Sequence, residues 1–112
     1  MKIHGARVTE TLLHYEGSIT LDEELMEKAG ILPGEELQIL NLNNGARFTT
    51  YAIPGKKDSG IVCLNGPAAR LAEVGDKILI LGYALLTEKE IETHKTRYIF
   101  LDEKNRIVKI QE

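Results

Sequence analysis

The chain has 112 residues, 43% hydrophobic and 28% charged, with a formal net charge of −3 and a pI near 5.6. Those values suit one domain that buries its own core, and they exclude a general attraction to nucleic acid or anionic membranes. Cys63 is the single cysteine, which excludes an intramolecular disulfide and fits a reducing compartment. Met1-Lys2-Ile3-His4-Gly5 opens no apolar run of the secretory kind. The apolar stretch 78–86 is broken by Gly82 and is too short to cross a bilayer. A cytoplasmic, single-domain protein is expected.

In chain order, strands are expected at 7–9, 18–21, 37–40, 47–53, 61–64 and 78–81. Each is a short run of β-branched and aliphatic residues between turn signals. The signals are Asn43-Asn44-Gly45, Pro54-Gly55 and Asp58-Ser59-Gly60, and Asn44-Gly45 between two apolar runs predicts a hairpin. A helix is expected over 22–29. Thr20 and Glu23 have capping-box spacing, Leu21, Leu25, Met26 and Ala29 share a face, and Gly30 stops it. Shorter helices are expected over 68–73 and 87–93.

Ile19-Thr20-Leu21-Asp22, a helix and then Gly34-Glu35-Glu36-Leu37-Gln38-Ile39-Leu40 resemble a later stretch. It runs Val62-Cys63-Leu64-Asn65, a helix and then Gly75-Asp76-Lys77-Ile78-Leu79-Ile80-Leu81. Neither copy hides its apolar face alone, but two can close on one another. A small closed barrel with pseudo-twofold symmetry follows, and closure removes sheet edges.

His14-Tyr15-Glu16-Gly17-Ser18-Ile19-Thr20 is the sharpest local feature, although a Gly-Ser step entering a strand is weak taken alone. Around it stand Lys2-Ile3-His4, Val8-Thr9, Asp22, Asn43-Asn44-Gly45-Ala46-Arg47-Phe48, Thr50-Tyr51, Asn65-Gly66 and Ala68-Ala69-Arg70. In these motifs, in order and without gaps between them, the chain resembles the pyruvoyl-dependent aspartate 1-decarboxylases of the pantothenate pathway. The likeness runs from Lys2 to about Tyr83.

The resemblance implies a mainly β fold, a six-stranded double-psi β-barrel, in agreement with the repeat. It implies a precursor that cuts itself between Gly17 and Ser18, giving residues 1–17 and 18–112, with Ser18 converted to the pyruvoyl cofactor. A serine hydroxyl is a poor nucleophile, so the turn must press Ser18 Oγ against the Gly17 carbonyl. Glycine leaves that approach open. Thr50 takes the position that assists cleavage. In turnover the pyruvoyl carbonyl at residue 18 forms a Schiff base with aspartate, and Tyr51 is the proton donor. Arg47, whose fork suits a carboxylate, and Lys2 match the substrate's two carboxylates. Asn65, Gly66 and Ala68 contribute hydrogen bonds, with His4 and Tyr15 as polar neighbours. Homotetramers with shared active sites are implied as well; whether maturation needs an accessory protein is left open.

Two departures stand out. The family's initial strand before Lys2 is almost absent, and Pro67, which has no N–H, replaces a common alanine. No metal is expected, because His4, His14 and His94 lack companions at ligand spacing. Cys63 reads as core and Lys56-Lys57 as a solvated turn. The alternatives are a non-catalytic double-psi or swapped-hairpin barrel that binds partners, and a pyruvoyl decarboxylase for another amino acid.

Overall fold

Segments in which every second residue is apolar form strands that turn one face inward. In a computed structural model, which describes residues 1–112, they build β1 (Lys2–Arg7), β2 (Glu10–Leu12), β3 (Ser18–Asp22), β4 (Glu36–Asn41), β5 (Arg47–Gly55), β6 (Val62–Asn65), β7 (Lys77–Leu81), β8 (Tyr98–Leu101) and β9 (Ile107–Gln111). Helix α1 (Glu23–Ala29) follows β3, a 3-10 helix (Gly66–Arg70) follows β6, and α2 (Glu88–Ile91) lies between β7 and β8.

The strand order is β2-β6-β3-β5-β4-β7-β1-β8-β9. Between β1 and β2, Val8 N–H donates to Asp76 O at 3.0 Å and Thr9 N–H to Val62 O at 2.8 Å. One bent segment thus pairs with β7 at its start and β6 at its end, which closes six strand positions into a barrel. The β8–β9 hairpin is added outside β1, with β8 parallel to it. Inside lie Ile3, Ile19, Leu21, Leu37, Ile39, Leu64, Ile78, Ile80 and Ile99, all at 0% exposure. Each such aliphatic side chain contributes about 1.5–3 kcal/mol by leaving water.

The repeat is the architecture. β3 and β6 pair antiparallel, with Thr20 opposite Cys63; β4 and β7 pair antiparallel, with Ile39 opposite Ile80. Because these partners are also repeat equivalents, the pseudo-twofold axis passes between them.

Several expectations are corrected. Thr20 does not cap α1. The cap is Asp22, whose Oδ1 accepts from Glu24 N–H at 2.9 Å, and Gly30 ends the helix with φ 76°. Pro54-Gly55 is the end of β5, paired with Leu21 and Asp22, and the turn lies beyond it. Proline is tolerated there because a parallel ladder leaves alternate N–H groups unused. The helix expected over 68–73 is a 3-10 turn that starts two residues earlier, at Gly66. The strand expected at 7–9 is the bend between β1 and β2, and β1 itself is a full strand. The expectation for 87–93 is met by α2, on which Thr87 and Glu90 form a capping box. β8 and β9 lie where no strand is expected. No helix is long and apolar enough to cross a membrane.

Asp22, only 4% exposed, also accepts from Asp58 N–H at 2.9 Å and Gly60 N–H at 2.8 Å. Removing a buried carboxylate that serves three backbone donors strands all three. Asp22→Ala is expected to lose about 2–4 kcal/mol, measured by chemical denaturation.

Candidate active site

Antiparallel pairing sets Ser18, the first residue of β3, opposite Asn65, the last of β6. Ser18 is 0% exposed and Asn65 1%, so their polar atoms must satisfy one another. Asn65 Nδ2 donates to Ser18 Oγ at 2.8 Å and to Thr20 Oγ1 at 2.9 Å. Asn65 Oδ1 accepts from Cys63 Sγ at 3.2 Å. Burial, with the Glu10 carboxylate adding to it, pushes the Cys63 thiol up to about 11, so at neutral pH it stays protonated and can donate. Ser18 Oγ itself donates to Glu16 O over a long 3.4 Å, which leaves the hydroxyl proton weakly held.

The loop before Ser18 rests on the turn after Asn65. Gly66 has φ +66°, and a Cβ there would stand 2.7 Å from Tyr15 O and 2.9 Å from Gly17 Cα and N. Only glycine lets these two backbones approach so closely. Pro67 Cδ packs 3.5 Å from where a Gly17 Cβ would be. Beside this contact opens a cavity of about 270 Å³, lined by Gly17, Thr50, Tyr51, Pro67 and Ala68 with Phe48, Thr49 and Leu71. Aspartate is small enough for such a space.

One chain brings together Gly17, Ser18, Asn65 and Gly66, and gathers Thr50, Tyr51 and Ala68 around the adjoining cavity. Tyr15 contributes its carbonyl to the contact with Gly66, while its side chain is exposed. Arg47, at the start of β5, lies beyond the cavity's lining; its Nη1 donates to Gln38 Oε1 at 3.0 Å, which also accepts from Tyr83 Oη at 2.7 Å. Lys2 and His4 lie elsewhere. Neither lines the cavity beside Gly17. Lys2 lines a larger cleft of about 630 Å³ with Tyr83, His94, Arg97 and Tyr98, and His4 stacks on Phe100 at 4.8 Å. Burial, and secondarily the Lys2 charge, lowers the His4 pKa. No group of three or more His, Cys, Asp or Glu is placed to hold a metal ion.

Sequence reasoning missed Thr20, Cys63 and Gln38 as parts of this arrangement. The signal was present for two of them: Thr20 and Cys63 are equivalents in the repeat, and each stands two residues from a motif residue, Ser18 or Asn65.

Gly66→Ala must displace backbone rather than a side chain. It is expected to cost about 1–3 kcal/mol in thermal unfolding and to hasten chymotryptic cutting at Tyr15.

The aspartate decarboxylase family model matches residues 1–108. An aspartate 1-decarboxylase of Caldicellulosiruptor saccharolyticus is 58% identical over 109 residues, 97% of this chain and 85% of the relative. The aspartate 1-decarboxylase of Carboxydothermus hydrogenoformans is 57% identical over 111 residues, 99% and 87% of the two chains. That of Bacillus licheniformis is 53% identical over 106 residues, 95% and 84%. Among solved structures, a computationally designed double-psi β-barrel superposes with a TM-score of 0.52 at 20% identity, covering 74% of this chain and 98% of its own. A rationally designed one gives 0.54 at 13%, covering 72% and 95%. These two speak for the barrel alone. By the family match and the identity of its relatives, the chain belongs to the aspartate decarboxylase family.

Proposed function

We propose that this chain is an aspartate 1-decarboxylase that makes its own pyruvoyl group from Ser18 and converts L-aspartate to β-alanine and carbon dioxide for pantothenate synthesis. The observation that carries the reading is a buried serine, preceded by glycine, whose hydroxyl accepts a 2.8 Å hydrogen bond from a buried asparagine, in a chain of this family.

The residues present fit a group made in place. Ser18 supplies the carbon skeleton, the Tyr15–Gly17 loop is pressed onto Gly66, and the Gly17 side opens into a cavity. In self-cleavage Ser18 Oγ adds to the Gly17 carbonyl carbon, the C–N bond breaks, and the hydroxyl proton ends on the Ser18 nitrogen. Removal of the Ser18 α-proton expels the Gly17 carboxylate from Cβ. The dehydroalanine end takes up water and releases ammonia, which leaves the pyruvoyl group. Thr50, which lines the same cavity as Gly17, would donate to the oxyanion. Once formed, the group supplies the electron sink for decarboxylation.

The chain's own residues do the rest. Arg47, oriented by Gln38, pairs with a substrate carboxylate. Tyr51, half-exposed in the cavity wall, returns a proton to the carbon that loses carbon dioxide. Pro67 offers no N–H, so Ala68 is the next backbone donor after Gly66 in that turn. Lys2 and His4 stand away from Ser18 within one chain, which supports a homotetramer whose neighbouring subunits supply them. The free, buried Cys63 accords with a cytoplasmic setting.

Intact-mass measurement of the purified chain is expected to show residues 1–17 and a blocked 18–112; one unbroken chain after prolonged warming would refute self-cleavage. Ser18→Ala is expected to abolish both cutting and decarboxylation. Arg47→Ala is expected to cut normally and raise KM for aspartate about 10–100-fold, with glutamate turnover as the comparison for specificity.

A further inference from the structure

Asn65 could not favour self-cleavage from an arbitrary orientation. Its carboxamide has two nearly isosteric ends, and the torsion that exchanges them is soft. With N–H₂ toward Ser18, the amide donates to Oγ while that atom is a hydroxyl, then an ester oxygen, then part of the departing Gly17 carboxylate. A donor gains strength as negative charge gathers on Oγ. The reversed amide would set its carbonyl oxygen against that charge.

We propose that Thr20 and Cys63 are positioning residues for Ser18, holding the Asn65 carboxamide with its N–H₂ end toward Ser18 Oγ. The inference rests on the self-cleavage reading. Thr20 Oγ1 takes the second Nδ2 proton at 2.9 Å and the Cys63 thiol donates to Oδ1 at 3.2 Å, so both ends of the amide are engaged. Both residues are fixed in turn. Cys63 is 2% exposed. Thr20 Cγ2 lies only 2.8 Å from where a Gly55 Cβ would stand, so its methyl fills the space glycine leaves and its hydroxyl faces Asn65. The pairing of Thr20 with Cys63 across β3 and β6 puts the two on either side of the axis, within reach of the same amide.

The test follows cutting of the full chain by intact mass over time. Thr20→Val keeps the shape and deletes the acceptor. It is expected to slow cutting about tenfold or more, and Thr20→Ser to restore the rate to within about threefold. Cys63→Ala is expected to slow cutting, and Cys63→Ser, which keeps an O–H donor, to preserve it. Each substitution is also placed in the uncut Ser18→Ala chain, where Tm reports folding alone and is expected to stay within a few degrees. Should Thr20→Val collapse that Tm, the Cys63 pair decides. Cutting at the wild-type rate in Thr20→Val, or equal rates for Cys63→Ala and Cys63→Ser, would overturn this inference while leaving self-cleavage intact. A wild-type chain that never cuts would overturn both.

Discussion

The register of β3 against β6 is the constraint on which the rest of the site depends. Ile19, Leu21, Val62 and Leu64 are wholly buried, and their packing holds Ser18 opposite Asn65. In a strand the side chains alternate faces, so a slip of one residue would turn the aliphatic set outward and carry Ser18 away from its partner. The chemical pair therefore inherits its precision from hydrophobic burial. Two polar side chains, worth about 1 kcal/mol to each other, would not hold such a register alone.

Around that pairing the two halves have diverged. Asp22 and Asn65 are equivalents in the repeat, and each closes a strand by reaching toward the loop that enters the other strand. The carboxylate of Asp22 accepts from Glu24, Asp58 and Gly60 N–H, a purely structural use of an acceptor. The amide of Asn65 donates instead, to Ser18 and Thr20. Exchanging one oxygen for an N–H₂ group at one of two equivalent positions turns a clamp on backbone donors into a donor to side chains.

The barrel was legible because its signals are periodic and doubled: Leu37, Ile39, Ile78 and Ile80 alternate, and the Gly-acid turns before them repeat. Gly17, Ser18 and Asn65 were legible as motif residues. What was hidden lies at longer range. Thr20 has the spacing of a helix cap, but β3 continues to Asp22 and carries the Thr20 hydroxyl to a strand more than forty residues on. Tyr98-Ile99-Phe100-Leu101 and Ile107-Val108-Lys109-Ile110 carry strand composition around an Asp-Glu-Lys-Asn turn, yet nothing local tells that they dock on β1. Lys2 and His4 were grouped with Ser18 by resemblance, whereas within one chain neither lines the cavity beside Gly17.

The threading of β1 has a consequence for what a cut at residue 17 would produce. That strand runs between β7 and β8; it carries Ile3 and Ala6 and is followed by Val8, none more than 1% exposed. A cut would therefore release nothing. The first seventeen residues would stay as a stave of the barrel, held by ladder hydrogen bonds and packing instead of a peptide link. Folding would then have a direction in time, since an unfolded, cut molecule must find its missing stave from solution, where the partner's effective concentration is far below that of a tethered segment. The uncut chain would be the form that can fold, and the cut one would keep a shape it could no longer readily regain.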